Sequence, residues 1–302
     1  GSFAVVIIQN DRIVYRKSFG NYRIDQVVPI ASSSKWLAGA LVMSLVDEGK
    51  LSLDAPVSKY LPEFTGDKAA ITVRQLFAHT SGLPPEIGCR NNRQTTLEAC
   101  AKQIAKANLR AQPGTEFFYG GVSMHAGGRV VEVVTGKSWN DAFVDRIAKP
   151  LGMTNTDFLA YGPTSNPRPA GDARSTLDDY AKFLQMILNG GAINGRRILS
   201  AKAVEEMHRD QTRGSTIRYS IFWNKGHLDP TLPSAGYGVG MWGEKTDAQS
   251  ARILLASSPG ALGSYPWIDF ENKVAGVIFT RGTFSRTLPV YLRLRAAATT
   301  NQ

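Results

Sequence analysis

The sequence lacks the long apolar runs and the clustered metal ligands that mark membrane proteins and metalloproteins. No apolar stretch approaches the roughly 18 residues that a membrane-spanning helix needs. There is no C-x-x-C and no histidine pair at ligand spacing, so no zinc site is expected. No apolar segment of the signal-peptide type begins the chain, and Gly1-Ser2 resembles a remnant of tag cleavage. We therefore expect any signal peptide to have been removed.

Long basic runs are also missing, although the chain carries a net charge of +10 from 35 Lys plus Arg and 25 Asp plus Glu. The basic residues are scattered, with no run beyond Arg196-Arg197. A solvated basic surface is therefore expected rather than a nucleic-acid site. The 302 residues, 43% of them hydrophobic, suffice for one large domain or for two intimately packed lobes.

Cysteine is scarce, with only Cys89 and Cys100 in the chain. The two flank a polar segment, 90–96, that lies between apolar stretches. An even count at close range predicts one local disulfide and hence an oxidising compartment, so we expect a periplasmic or secreted protein. Two free thiols are the alternative.

Strand patterns occur at both ends of the chain, and helical patterns lie between them. The predicted strands and the final helix are 3–9, 13–19, 217–223, 238–242, 252–257, 264–270, 274–280 and, for the helix, 286–297. The pattern predicts an α/β (α+β) fold with an antiparallel sheet from both chain ends flanked by helices. We expect an α/β lobe from 1–60 and 190–302, a mainly helical lobe over 61–189, and a site between them.

Ser32-Ser33-Ser34-Lys35 places a serine and a lysine three residues apart at the start of an apolar helix. Such residues share a helix face, roughly 5–6 Å apart at Cβ, so Ser32 Oγ and Lys35 Nζ can meet. A serine hydroxyl needs a base to become a nucleophile. A lysine supplies that base where burial or nearby positive charge lowers its pKa. An N-cap serine beside an exposed lysine is the ordinary alternative.

Several further segments accompany this motif in a fixed order, and with them the chain resembles the serine hydrolase superfamily of class C β-lactamases, D,D-peptidases and family VIII carboxylesterases. The resemblance implies a β-lactamase/transpeptidase-like fold, with Ser32 as nucleophile and Lys35 as base. The segments are Ile30–Lys35, Leu53–Val57, Leu76–Pro84, Pro113–Tyr119, Pro150–Met153 and Ala170–Thr176.

The second motif of this superfamily is Tyr-x-Asn, and here Tyr119-Gly120-Gly121 stands in its place after Pro113-Gly114-Thr115. The resemblance implies that Tyr119 is catalytic. We expect a nearby protonated lysine to lower the pKa of its phenol, which would then shuttle protons. Gly121 lies at the substrate-binding position and removes the amide that is implied to bind a substrate's acylamide side chain.

The third motif, usually Lys-Thr-Gly or His-x-Gly on the edge strand facing the site, falls on Ser258-Pro259-Gly260. Ser258 replaces the cation, and Gly260 permits close backbone approach. Both are predicted to lie on the substrate side. Pro259 has no N–H to donate. The N–H groups of Ser32 and Ala261 are therefore predicted to form the oxyanion hole.

Other polar and aromatic side chains receive structural interpretations. His79 is expected to be a hydrogen-bonded loop histidine, and His208 and His227 are expected at the surface. Trp36, Trp223 and Trp242 are expected in the core.

Together these residues predict a serine hydrolase that cleaves small-molecule carboxylic esters through an acyl-enzyme on Ser32, without a metal or organic cofactor. Esters are favoured because the altered motifs lack the cation and the amide that suit β-lactams and D-Ala-D-Ala peptides. One alternative is a D,D-peptidase or β-lactamase-like amide hydrolase. The other is a catalytically silent binding or sensor protein on the same fold.

Overall fold

The structure of the chain is a computed structural model that describes residues 2–212, 214–219, 236–280 and 282–300. The predicted strand at 217–223 is therefore described only as far as residue 219. Trp223 and His227 lie outside the described residues.

A hairpin at the N-terminus begins the main sheet. Asn10 and Asp11 both have positive φ, 48° and 67°, the combination that a tight two-residue turn requires and that Asn and Asp tolerate. The described strands are β1 (Phe3–Gln9), β2 (Arg12–Phe19), β3 (Val28–Pro29), β4 (Glu116–Phe118), β5 (Arg174–Ser175), β6 (Ala192–Ile193), β7 (Arg196–Arg197), β8 (Thr216–Tyr219), β9 (Gly236–Tyr237), β10 (Trp242–Thr246), β11 (Ile253–Ser257), β12 (Tyr265–Asp269) and β13 (Val274–Thr280).

Seven strands from the two ends of the chain form one antiparallel sheet in the order β2-β1-β13-β12-β11-β10-β9. Alternate residues of β1 belong to different apolar clusters: Ala4, Val6 and Ile8 join the main core, and Val5 and Ile7 join a smaller one. Helices therefore cover the sheet on both faces.

The described helices begin and end where capping residues allow. Thr72, Thr96 and Thr176 accept backbone N–H bonds as N-caps. The helices are α1 (Ser34–Asp47), α2 (Val73–Phe77), α3 (Leu97–Lys106), α4 (Val122–Thr135), α5 (Trp139–Phe143), α6 (Lys149–Leu151), α7 (Leu177–Leu188), α8 (Ala201–Met207) and α9 (Phe284–Thr300). None of these described helices is both long and apolar enough to cross a membrane.

Helix α1 runs through the main core, with every residue from Ser34 to Leu45 buried. The prediction of a strand at 238–242 was wrong, because 238–241 is a turn between β9 and β10 that packs against α1. Gly240 has φ +93°, and a Cβ there would collide with the carbonyl of Lys35. Glycine is therefore needed for this turn to pack closely against α1 beside Lys35, the predicted base.

Buried tryptophans and a buried histidine surround α1. Trp36 and Trp242 lie in the core, as expected. The expectation that His208 lies at the surface was wrong: it is 5% exposed, and its Nε2 accepts a hydrogen bond from Trp36 Nε1 at 3.2 Å. The division into two lobes stays a prediction, and α7, assigned by it to the helical lobe, packs on the sheet strands β1 and β13.

A buried carboxylate ties the C-terminal helix to the sheet. Glu244 on β10 accepts hydrogen bonds from the hydroxyls of Tyr265, at 3.0 Å, and Tyr291, at 2.8 Å. Arg295 on α9 pairs with the same carboxylate at 3.2 Å. Burial raises the pKa of Glu244, and these partners oppose that rise.

The predicted disulfide is confirmed, because Cys89 and Cys100 are bonded, with Cα atoms 5.4 Å apart. The bond joins the short 3₁₀ turn Gly88–Asn91 to α3. The two cysteines are eleven positions apart in the sequence, so the bond closes a short loop.

Replacing both cysteines with serine is expected to lower the free energy of unfolding by about 2–3 kcal/mol, since the unfolded chain regains the freedom of this loop. Urea denaturation of the two proteins measures the difference. A reducing agent should destabilise the native chain by a similar amount and leave the double variant unchanged. Equal stability of the two oxidised proteins would contradict the prediction.

Candidate active site

Ser32 lies in a strained turn that leads into α1. Residues Ala31–Ser33 form one 3₁₀ turn, and Ala31 has φ +46°. A non-glycine residue in the left-handed region costs energy and persists only where its surroundings hold it. The Ile30 N–H donates to Ala173 O at 3.0 Å, which anchors the turn. Ser32 is partly exposed, whereas Ser33 and Ser34 are buried.

The neighbouring serines hold this turn against the 258–264 loop, a role that the sequence analysis missed. Ser33 Oγ donates to Ser258 O at 2.6 Å and lies 2.7 Å from Ser264 Oγ. Ser264 Oγ donates to Ile30 O at 2.8 Å. Repeated serines in a motif signal such bonds only weakly, because their partners lie more than 200 residues away in sequence.

Lys35 lies next to Ser32 in a buried environment. Its Nζ is 3.1 Å from Ser32 Oγ and donates to Ala170 O at 3.0 Å. Burial, and then the positive charge of Arg90, lower the pKa of Lys35 to about 7, against an opposing effect of Glu86. A substantial fraction of the amine is therefore neutral near neutral pH, as a general base must be.

Tyr119 also lies beside the predicted nucleophile, and an interaction of its phenol with the Ser32 side chain acts to lower the phenol's pKa. Burial raises the pKa of Tyr119 to about 12, so the expectation of a lowered pKa was wrong. Lys35 Nζ lies 4.6 Å from the centroid of the Tyr119 ring, and the low pKa of Lys35 weakens any stabilisation of a phenolate. Tyr119 is therefore a neutral phenol that can donate a proton or relay one.

An aromatic cluster supports Tyr119 from behind. His79 lies 4.9 Å from the rings of Tyr119 and Tyr237, and Tyr119 lies 4.9 Å from Trp242. The expected hydrogen bond of His79 is wrong, because within the described part of the chain neither ring nitrogen has a partner. Burial, and the charge of Lys35, lower the pKa of His79, so its ring acts as neutral packing.

We expect Tyr119→Phe to lower kcat by roughly 10²- to 10⁴-fold, the usual contribution of a proton-transfer group, because only the hydroxyl that touches Ser32 is removed. Steady-state kinetics measures the loss. Tyr237→Phe is the matched control in the same cluster, since no described residue bonds the Tyr237 hydroxyl. Equal activity of the two variants would contradict a role for the phenol.

The predicted third motif continues the line of β11 toward Ser32. The strand ends at Ser257, and the N–H groups of Ser258 and Gly260 bond to Pro266 O and Ser264 O. Ser258 Oγ donates to Ser32 O at 3.2 Å. A Cβ on Gly260 would collide with Ile30 O, so glycine is needed for this close approach.

Ala261 follows in the turn from Gly260 to Gly263, where it is exposed. The sheet uses the N–H groups of Ser258 and Gly260, and Pro259 has none. Of residues 258–261, only Ala261 therefore has an N–H that the β11–β12 pairing leaves unused. Its part in an oxyanion hole stays a prediction.

Gly121 is the N-cap of α4, and a cation missed by the sequence analysis lies against it. A Cβ at this position would be 2.6 Å from Arg90 Nη1. Arg90 belongs to the turn that the disulfide anchors, and the cysteine next to it was the only signal in the sequence. Among the described residues, no cluster of His, Cys, Asp and Glu suits a metal ion.

Comparisons with known proteins show the family of this chain and confirm the predicted fold. The model of the Beta-lactamase family matches residues 1–300. The structure of a β-lactamase of unproven function from Bacteroides dorei matches with a TM-score of 0.87 and 32% identity, covering 100% of this chain and 94% of that one. A family VIII carboxylesterase shares the fold, with a TM-score of 0.75 and 20% identity over 99% and 92% of the two chains.

Among curated proteins, Protein flp of Staphylococcus aureus is 31% identical over 51% of this chain. The match spans only 34% of the length of Protein flp. The similarity therefore concerns about a third of that protein and not the whole of it.

Proposed function

This chain belongs to the Beta-lactamase family of serine hydrolases, and we propose that it hydrolyses carboxylic esters through an acyl-enzyme on Ser32. The observation that carries the proposal is the 3.1 Å separation of Lys35 Nζ and Ser32 Oγ, in surroundings that lower the pKa of Lys35 to about 7. A neutral amine at hydrogen-bond distance can take the serine proton as the hydroxyl attacks.

Acylation begins with the transfer of the Ser32 proton to neutral Lys35 while Oγ bonds to the ester carbonyl carbon. The carbonyl oxygen becomes an oxyanion, for which the N–H groups of Ser32 and Ala261 are the proposed donors. One such donor is worth roughly 3–4 kcal/mol in the transition state. The strained turn at Ala31 positions Oγ before the substrate arrives.

Collapse of the tetrahedral intermediate expels the alcohol, which needs a proton. The phenol of Tyr119 interacts with the Ser32 side chain, and the Tyr119 ring centroid is 4.6 Å from Lys35 Nζ. The phenol can therefore give that proton and recover one from protonated Lys35. In deacylation the same pair accepts a proton from water as the water oxygen bonds to the acyl carbon. The bond from the acyl carbon to Ser32 Oγ then breaks, and the pair returns the proton to Oγ. Because its pKa is about 12, Tyr119 relays protons and is not itself the resting base.

The preference for esters rests on the two altered motifs. Ser258 stands where relatives carry a cation, and its hydroxyl is occupied by Ser32 O. Gly121 supplies no amide. Esters have better leaving groups than amides and need fewer recognition contacts. The proposal is supported by the proximity of Lys35 to both Ser32 and Tyr119.

Turnover of a p-nitrophenyl ester compared with that of a chromogenic cephalosporin tests the proposal. We expect a higher kcat/KM for the ester, and a clear preference for the cephalosporin would overturn the ester assignment in favour of an amide hydrolase. A fluorophosphonate probe tests the alternative of a silent binding protein. Labelling of the native chain that is lost in Ser32→Ala supports an enzyme, and no labelling of the native chain supports a binder.

We also propose that the protein works in an oxidising compartment, as a secreted or periplasmic enzyme. The Cys89–Cys100 bond supports this, since such bonds persist mainly outside the reducing cytosol. Fractionation of cells that produce the full-length protein tests it, and recovery in the cytosol with reduced thiols would contradict it.

A further inference from the structure

We propose that the guanidinium of Arg90 binds a carboxylate on the acyl portion of the substrate, so that the enzyme selects esters of acids that carry a second, ionised carboxyl group. The inference rests on the ester hydrolysis proposed above and names its substrate class.

The first support is the place of the guanidinium. Gly121 lies two residues after Tyr119, whose ring centroid is 4.6 Å from Lys35 Nζ, and Arg90 Nη1 fills the space that a side chain at 121 would enter. The chain therefore replaces a neutral amide at this wall of the site with a cation from another element. In the proposed complex this cation meets the acyl substituent of the ester.

The second support is the direction in which the hydrogen-bonding groups of Arg90 point. Glu86 accepts from Arg90 Nε at 3.0 Å and also from Nη2. Among the described residues no acceptor is bound to Nη1, the atom that faces Gly121. Glu86 is thus an outer partner, 59% exposed, whereas the Arg90 side chain is 15% exposed. A guanidinium that is held at one edge by Glu86 can donate to a carboxylate oxygen at its other edge.

The third support is that the loop is built to hold its shape. Asn166 Nδ2 donates to Cys89 O and to Asn92 O, both at 2.9 Å, and so brackets Arg90 on either side. Asn166 Oδ1 is in turn 2.7 Å from His125 Nε2, and the disulfide fixes Cys89. A cation on a preorganised loop loses little freedom when it binds its ligand.

The fourth support is electrostatic. Arg90 lowers the pKa of Lys35 more strongly than Glu86 raises it. At Lys35, the positive charge of Arg90 therefore outweighs the negative charge of its partner Glu86. A carboxylate there would gain a charge-assisted hydrogen bond from a guanidinium that is itself largely buried.

Two esters that differ only in this charge provide the test. We expect the native chain to hydrolyse p-nitrophenyl hydrogen adipate with a kcat/KM roughly ten- to hundredfold higher than that of methyl p-nitrophenyl adipate, the range for a hydrogen bond to a charged group. Rates are compared at pH 8, where the carboxyl group is ionised. The ratio of the two rates is the readout, because removal of Arg90 also raises the pKa of Lys35 and so affects both esters alike.

Arg90→Met should reduce this ratio to about one, and Arg90→Lys should retain part of it, because it keeps the charge without the planar fork. Lys102→Gln is the control. It removes one positive charge from an exposed side chain on α3 that pairs with Glu98, and the ratio should persist. Gly121→Ala keeps Arg90 but displaces its guanidinium, so it should lower the ratio even if Arg90→Met fails to fold.

The outcomes separate the two proposals. If the native chain hydrolyses both adipate esters equally well, or if Arg90→Met and Gly121→Ala keep the full ratio, the assignment of Arg90 is wrong while ester hydrolysis stands. If the native chain hydrolyses neither ester and the fluorophosphonate does not label Ser32, the proposed function fails and this assignment fails with it.

Discussion

Ser32→Ala is expected to lower kcat/KM for p-nitrophenyl esters by roughly 10⁵- to 10⁶-fold, the scale at which removal of a nucleophile acts in a serine hydrolase. Only the Oγ that lies 3.1 Å from Lys35 Nζ is lost. The anchors of the turn through Ser33 and Ile30 remain, so the fold should persist. Acyl transfer to the protein should end completely, and intact-mass spectrometry after brief exposure to an ester shows whether an acyl adduct forms.

Ser44→Ala is the matched control for this variant. Ser44 is a buried serine on the same helix, and its Oγ donates to Leu41 O at 2.7 Å. Its replacement removes a hydroxyl from α1 without touching the site, so activity and the acyl adduct should both persist. An acyl adduct on Ser32→Ala, or activity within about tenfold of the native rate, would show that another residue is the nucleophile.

Lys35→Met is expected to lower kcat/KM by roughly 10²- to 10⁴-fold, the contribution of a positioned general base. The native profile should rise with pH through about 7, where Lys35 loses its proton, and level off above it. In Lys35→Met the limb at pH 7 should disappear. A native profile without that limb, or a variant that keeps it, would contradict the assignment of Lys35 as the base.

A stability measurement on Lys35→Met checks the same pKa without catalysis. The folded pKa of Lys35, about 7, lies below its ordinary value of 10.5, so between these pH values the unfolded chain binds more protons. The free energy of unfolding of the native chain should therefore rise with pH over this window, at up to about 1.36 kcal/mol per pH unit. Lys35→Met lacks this term, and its stability relative to the native chain should be greatest below pH 7.

A Tm difference between the two proteins that stays constant from pH 6 to pH 10 would mean that folding does not lower the pKa of Lys35. Lys182→Met is the control for Lys35→Met, because it removes a lysine near the surface, and its stability is measured by its urea midpoint. Lys182 is 37% exposed and paired with Asp179.

The features that could be predicted from the sequence are those that are determined by residues close together along the chain. The turn at Asn10-Asp11, the caps at Thr72 and Thr96, and the meeting of Ser32 with Lys35 depend on backbone preferences and on helical spacing over a few residues. The disulfide belongs to the same group, because only one pairing was available. The strand patterns at both ends of the chain extended this to the antiparallel sheet.

The properties that tune the site arise from contacts between residues far apart in the chain. The pKa values of Lys35 and Tyr119 follow from burial by packing from several elements, and burial overrode the lysine–phenol attraction on which the expectation for Tyr119 depended. Arg90 meets Gly121 because α3, α4 and the disulfide bring them together. Desolvation and close approach depend on where the chain returns in space, and a linear pattern of residues holds no measure of that.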